Sequence, residues 1–106
     1  MIALAMKEMA AHAQDAAQLM KELSNEYRLM ILCSLANGEL SVSQINALMP
    51  LSQSAVSQHL ARLRDSDLVA TRRESQTIFY RLQGDEAIRV IETLQSIYCP
   101  DLNVRE

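Results

Sequence analysis

Three observations predict a mostly α-helical single domain with one β-hairpin. The 106 residues include only two glycines and two prolines, and Ala, Leu, Met, Gln and Glu are abundant. Apolar positions recur every three or four residues over most of the chain, and a β-rich composition replaces that period after Asp67. About half of the residues are apolar, enough for one small core and no second one. With no internal repeat, low-complexity tract or linker, residues 1–106 read as one unit.

The elements follow in order. Met6, Met9, Ala13, Ala16, Ala17, Met20 and Leu23 recur at helical steps, predicting an amphipathic first helix over residues 5–23. In SNEYRLMILCSLANG, Ser24 or Asn25 can cap a second helix whose body, Leu29 to Leu35, is apolar on nearly every side, and Asn37-Gly38 supplies a left-handed stop. This helix is expected at the buried centre. Ser41 can cap a short helix through Met49, ended by Pro50, and Ser52 can cap another through about Asp65. Together these two form a helix-turn-helix. LVATRRE and QTIFYRL, separated by the polar Glu74-Ser75-Gln76, read as a hairpin without an Asn-Gly turn. A last helix over residues 85–98 carries Ile88, Ile91, Leu94 and Ile97 on one stripe, with Val90 and Tyr98 beside it and Pro100 after it. Helix, helix, helix-turn-helix, hairpin, helix is the order expected of a winged helix.

Net charge is −3, which at first argues against an anionic partner. The average hides a gradient: residues 51–81 hold five arginines against three acids, whereas the segments on either side are net acidic. A phosphate backbone responds to potential within a Debye length of roughly 8 to 10 Å, so one basic face can bind nucleic acid on an acidic protein. The opening MIALAM is followed at once by Lys7, Glu8, His12, Gln14 and Asp15, so no signal-peptide core or membrane span is expected and the cytosol is the expected location.

In LSQSAVSQHLARLRDSD, Val56, Leu60 and Leu63 form a narrow apolar stripe at about 100° per residue. Ser54, Ser57, Gln58 and Ala61 point away from it, with Arg62 beside them and Gln53 at the start of the helix. Short uncharged side chains can approach base edges, Gln pairing with adenine, while Arg62 and Arg64 are placed for phosphates. That pattern suits a recognition helix in a major groove. A solvated surface helix would look the same in isolation; the capped helix before it and the hairpin after it, with Arg72, Arg73 and Gln76 at or near the tip, favour duplex DNA as the partner.

The run LSQSAVSQHLARLRDSDLVATRRESQTIFYRL, with NEYRLMILCSL before it, resembles the ArsR/SmtB family of dimeric bacterial transcription regulators. Ser52 to Leu60 carries the resemblance most specifically. It implies a winged helix-turn-helix homodimer joined through its first and last helices, binding an inverted-repeat operator. Two amphipathic terminal helices agree with this, since so small a monomer would have difficulty covering them. His59, at the edge of the apolar stripe, is a candidate for packing or a DNA-backbone contact.

Many members of that family sense metals. Their best-known site has Cys-x-Cys where this chain has Ser41-Val42-Ser43, and a second type needs histidines on a last helix that here offers only Asp85, Glu86 and Glu92. With His12 and His59 the only histidines, no metal or other cofactor is expected. Cys33 and Cys99 remain. Composition alone leaves Cys33 a small core residue and Cys99 an incidental thiol. RLMILCSL and IYCP, however, are similar to the cysteine-bearing segments of the HlyU/BigR/SqrR branch, and that resemblance implies a redox sensor whose two thiols are joined by a disulfide or polysulfide, lowering DNA affinity. A constitutive or metal-responsive repressor with inert cysteines is the alternative. A thiol enzyme lacks support: there is no CxxC, no charge partner for either thiol and no catalytic His-Asp arrangement.

Overall fold

Asn25 sets the start of the central helix by a local bond, its side-chain oxygen accepting from the backbone N–H groups of Tyr27 and Arg28 at 2.9 and 3.0 Å. The computed structural model describes residues 2–101. Its elements are α1 (Ile2–Glu22), α2 (Glu26–Ser34), β1 (Leu40–Ser41), α3 (Val42–Ala47), α4 (Gln53–Asp65), β2 (Val69–Glu74), β3 (Thr77–Leu82) and α5 (Asp85–Tyr98). The strands form an antiparallel sheet in the order β1-β3-β2.

Ile31 and Leu32 of α2, Ile45 of α3, Val56, Leu60 and Leu63 of α4, Val69 of β2 and Ile91 of α5 form the core, each no more than 1% exposed. Burying each such side chain stabilises the fold by about 1.5 to 3 kcal/mol relative to exposure. The helix-turn-helix is thereby bolted to the central helix through the stripe on α4, and the sheet closes the same core through Val69.

Three differences from the sequence reading have physical causes. The first helix begins at Ile2 rather than Ala5 and ends at Glu22, so Leu23 leaves the helix and turns into the core. α2 is not buried all round: Met30 faces solvent, whereas Arg28, just before its apolar body, is buried because its guanidinium reaches back to α1, Nε donating to the Glu22 carbonyl at 2.7 Å and Nη2 to that of Lys21 at 3.2 Å. The third strand, β1, was not anticipated; two residues are too short to show a period of their own, and they are held by pairing with Tyr80 and Phe79. The turn between β2 and β3 closes without glycine, Ser75 taking a left-handed φ of 59°. Past α2, Gly38 takes a φ of 143°, where L side chains are strained.

The exit from α4 is a Schellman motif, with Asp67 at φ 60°, its N–H bonded to the Arg64 carbonyl at 3.0 Å and that of Leu68 to the Leu63 carbonyl at 2.9 Å. Buried Leu63 and Leu68 complete it. The direction in which the hairpin leaves the helix is therefore set within four residues. No helix among the described residues is long and apolar enough to cross a membrane.

Candidate nucleic-acid interface

The helix-turn-helix is held by local bonds. Ser41 and Gln44 form a reciprocal capping box at the start of α3, the Gln44 N–H donating to Ser41 Oγ at 3.2 Å and the Ser41 N–H to Gln44 Oε1 at 2.8 Å. Asn46 Nδ2 donates to the Leu51 carbonyl at 2.9 Å across the turn, and Ser52 Oγ accepts from the Ala55 N–H at 3.2 Å to cap α4. With Val56, Leu60 and Leu63 turned inward, Gln53, Ser54, Ser57, Gln58 and Ala61 are exposed on the opposite side. Ser54 and Ser52 hydroxyls lie 3.2 Å apart at the helix start. The exposed face of α4 is thus short, polar and uncharged over its first two turns, and helical N–H groups at its start favour a nearby anion.

The arginines divide into two kinds. Arg64, at the last turn of α4, and Arg73, facing Ile78 across the hairpin, are exposed and make no ion pair among the described residues. Arg62, expected among the phosphate contacts, is turned onto α1 instead: its Nε donates to Glu22 Oε1 at 2.8 Å and its Nη2 to Oε2 at 3.4 Å. Glu22 is nearly enclosed, and the hydrogen bond from Arg62 holds its carboxyl below the ordinary value despite burial. Arg72, expected at or near the wing tip, lies two residues before the end of β2, opposite Phe79, and is braced on three sides. Its Nε donates to Glu39 at 2.8 Å, its Nη2 meets the same carboxylate, its Nη1 donates to Glu74 at 2.7 Å, and its guanidinium carbon sits 4.7 Å from the Phe79 ring centroid. The two carboxylates raise its already high pKa and the bond to Arg72 lowers that of Glu39. Gln76 occupies the turn itself, exposed.

His59 is half-buried, its ring 6.3 Å from that of Tyr27. Burial, then the charges of Arg28 and Arg62, lower its pKa, so the neutral form is favoured near neutrality. Glu22 and Glu39, which take up two of the five arginines between residues 51 and 81, were not among the sequence candidates: 40 and 33 residues separate the partners, and nothing in either local pattern marks the pairing. Among the described residues, no group of three or more His, Cys, Asp or Glu side chains could hold a metal ion.

Both cysteines are free thiols, Cys33 half-buried in α2 and Cys99 exposed at the end of α5. Burial raises the Cys33 pKa, and the Cys99 side chain adds to the rise. The two thiols that the sequence offered thus lie on α2 and at the end of α5, helices that pack against each other.

A helix capped by Ser52, buried on one side and polar on the other, followed by an arginine-bearing wing, forms a DNA-reading architecture. Residues 25–71 match the family model for bacterial regulatory proteins of the arsR family. The transcriptional activator HlyU of Vibrio cholerae is 48% identical over 94 residues, covering 89% of this chain and 87% of HlyU. The chain belongs to the ArsR family. The biofilm growth-associated repressor of Agrobacterium fabrum is 44% identical over 97 residues, 91% of this chain and 83% of that protein. Among solved structures, reduced HlyU from Vibrio cholerae matches with a TM-score of 0.83 at 48% identity, covering 88% of this chain and 98% of the other. The homodimeric winged helix-turn-helix DNA-binding domain of an ArsR-type protein of Mycobacterium bovis matches with a TM-score of 0.72 at 32% identity, covering 84% and 82%. This ArsR-family chain is therefore a winged helix-turn-helix transcription regulator of the HlyU and biofilm-repressor type, and not an enzyme.

Proposed function

We propose that this regulator binds an inverted-repeat operator as a homodimer, with α4 in the major groove, and that oxidation or persulfidation of Cys33 and Cys99 releases it. The observation that carries the reading is the outer face of α4, where Ser54, Ser57 and Gln58 stand exposed opposite a fully buried stripe. Gln53, Arg64, Arg73 and Gln76 extend that face toward the phosphates, with Arg62, Arg72 and His59 behind it in supporting roles. Two copies would set their α4 helices about 34 Å apart, one helical turn of DNA. A dimer through α1 and α5 is supported by the apolar side chains both leave in solvent, Ile2, Leu4, Met6 and Met9 on the first and Ile97 and Tyr98 on the last, and by the homodimeric Mycobacterium bovis relative. A location in the cytosol, where thiols are kept reduced, belongs to the same reading.

The thiol chemistry follows from exposure. Cys99 is met first by an oxidant, and Cys33, held protonated by burial, closes the bridge. With a peroxide, the Cys99 thiolate attacks oxygen to give a sulfenic acid and water, and Cys33 displaces a second water, so two thiols and one hydrogen peroxide become one disulfide and two waters. With a persulfide, Cys99 takes the outer sulfur and expels a thiol, and Cys33 attacks the inner sulfur and expels hydrogen sulfide. Neither cysteine lies in the DNA-reading segment, so release acts through dimer geometry; a tenfold loss of affinity needs about 1.4 kcal/mol between the two arrangements.

One observation favours a second reading, a constitutive regulator with inert cysteines: a half-buried thiol of raised pKa is slow to react. Mass spectrometry after peroxide or persulfide treatment separates the two, showing Cys33 joined to Cys99 directly or through added sulfur under the first and unlinked thiols under the second. For the interface, Gln58→Ala is expected to lower operator affinity by about 1 to 3 kcal/mol while sparing unrelated DNA. Unchanged sequence preference in that variant would remove α4 from the groove.

A further inference from the structure

Every residue of α1 from Ile2 to Gln18 is exposed, and the helix takes hold of the domain only at its last turn, where Leu19 is half-buried, Glu22 is buried and Leu23 enters the core. Three helices meet there. Arg28 of α2 donates to the carbonyls of Lys21 and Glu22, Gln18 Nε2 donates to Glu22 Oε2 at 2.9 Å, and Arg62 of α4 clasps the same carboxylate at 2.8 Å. The Glu22 side chain is 5% exposed and that of Arg62 47%. Without Arg62 this enclosed carboxylate would keep only the neutral Gln18 amide among the side chains that hydrogen-bond to it, so its charge would be left poorly compensated. Were Arg62 to swing out to a phosphate, it would strand Glu22.

We propose that Glu22 is a positioning residue for α4, tying the recognition helix through Arg62 to the end of α1, so that the Arg62 charge sets the attitude of the helix instead of contacting DNA. The inference rests on the reading of α4 as the base-reading helix and of α1 as part of the dimer contact. It makes the last turn of α1 the place where a change in dimer arrangement reaches the DNA face. α2, which carries Cys33, enters the same junction through Arg28.

The test is a salt series of anisotropy titrations with the full chain, on operator and on unrelated duplex, for wild type, Arg62→Gln, Glu22→Gln and the double variant. Arg62→Gln is expected to leave the salt slope on unrelated duplex unchanged, since no phosphate contact is lost, and to reduce operator preference roughly fivefold. Glu22→Gln should lose preference to the same extent and, by releasing Arg62, steepen the slope by about one. The double variant should lose no more preference than either single one, and its slope should match wild type. Should Arg62→Gln fail to fold, the double variant, which leaves no unpaired carboxylate at the junction, gives the same reading of the slope. A slope reduced by about one on loss of Arg62 would overturn the proposal, as would single losses that multiply in the double variant. Gln58→Ala run alongside separates the failures. Lost preference there with preference intact in the Glu22 and Arg62 variants overturns the positioning role alone, whereas intact preference in all of them overturns the reading of α4 as well.

Discussion

Helices α1 and α4 are both amphipathic, yet they dispose of their apolar sides in opposite ways. α4 turns Val56, Leu60 and Leu63 entirely into its own domain and leaves only short polar side chains outward near its start. α1 keeps Ile2, Leu4, Met6 and Met9 more than half exposed. The sequence period is the same kind of signal in both. What differs is where the complementary surface lies, within the chain for α4 and on a second copy for α1 in our reading. One helix therefore maintains the fold of each subunit, and the other waits on assembly, joined to the first at the Glu22–Arg62 pair.

The largest expected effect separates these two roles. Leu60→Ala should destabilise the domain by about 2 to 5 kcal/mol, whereas Met6→Ala should leave subunit unfolding nearly unchanged, both read by denaturant titration at fixed protein concentration. Replacing Met6 or Met9 by Glu should instead shift sedimentation from dimer to monomer and weaken operator binding, with the helical circular dichroism of the core elements retained. A dimer that survives both substitutions would place the contact elsewhere.

A second comparison runs within the wing. Arg73→Ala should reduce the salt slope of DNA binding by about one, while Arg72→Ala, whose charge is already met by Glu39 and Glu74, should change it much less. Equal slopes for the two variants would show that Arg72 leaves its carboxylates when DNA arrives.

The smallest effect concerns acid. The Glu22 carboxyl is held by Arg62 below its ordinary value of 4.5, so its contribution to stability is complete above that pH and is lost as pH falls through the lowered folded value. Unfolding free energies measured between neutral and acidic pH should therefore decline less steeply in Glu22→Gln than in wild type. Parallel curves would mean that Glu22 titrates alike in the folded and unfolded chain.

Legibility in the sequence followed the range of the interaction. The caps at Asn25, Ser41 and Ser52 act over two or three residues, and the stripe on α4 repeats within one helix, so both could be read directly. β1 could not, because its two residues become a strand only by meeting β3 about 40 positions later. Separations of 40 and 33 residues likewise hid Glu22 from Arg62 and Glu39 from Arg72, and it is these pairings that divide the arginines into braces and open cations. The burial of Arg28 was equally hidden, since the carbonyls that hold it come from the end of α1.

The most direct measurement of the central claim is operator binding by reduced and oxidant-treated protein, wild type beside the Cys33→Ser, Cys99→Ser double variant, with the mass of each sample taken in parallel. Both proteins are expected to bind equally when reduced, treated wild type to carry a Cys33–Cys99 link and lose at least tenfold in affinity, and the treated double variant to stay bound. Release of the double variant by the same treatment, or a linked wild type that holds its operator undiminished, would contradict that claim.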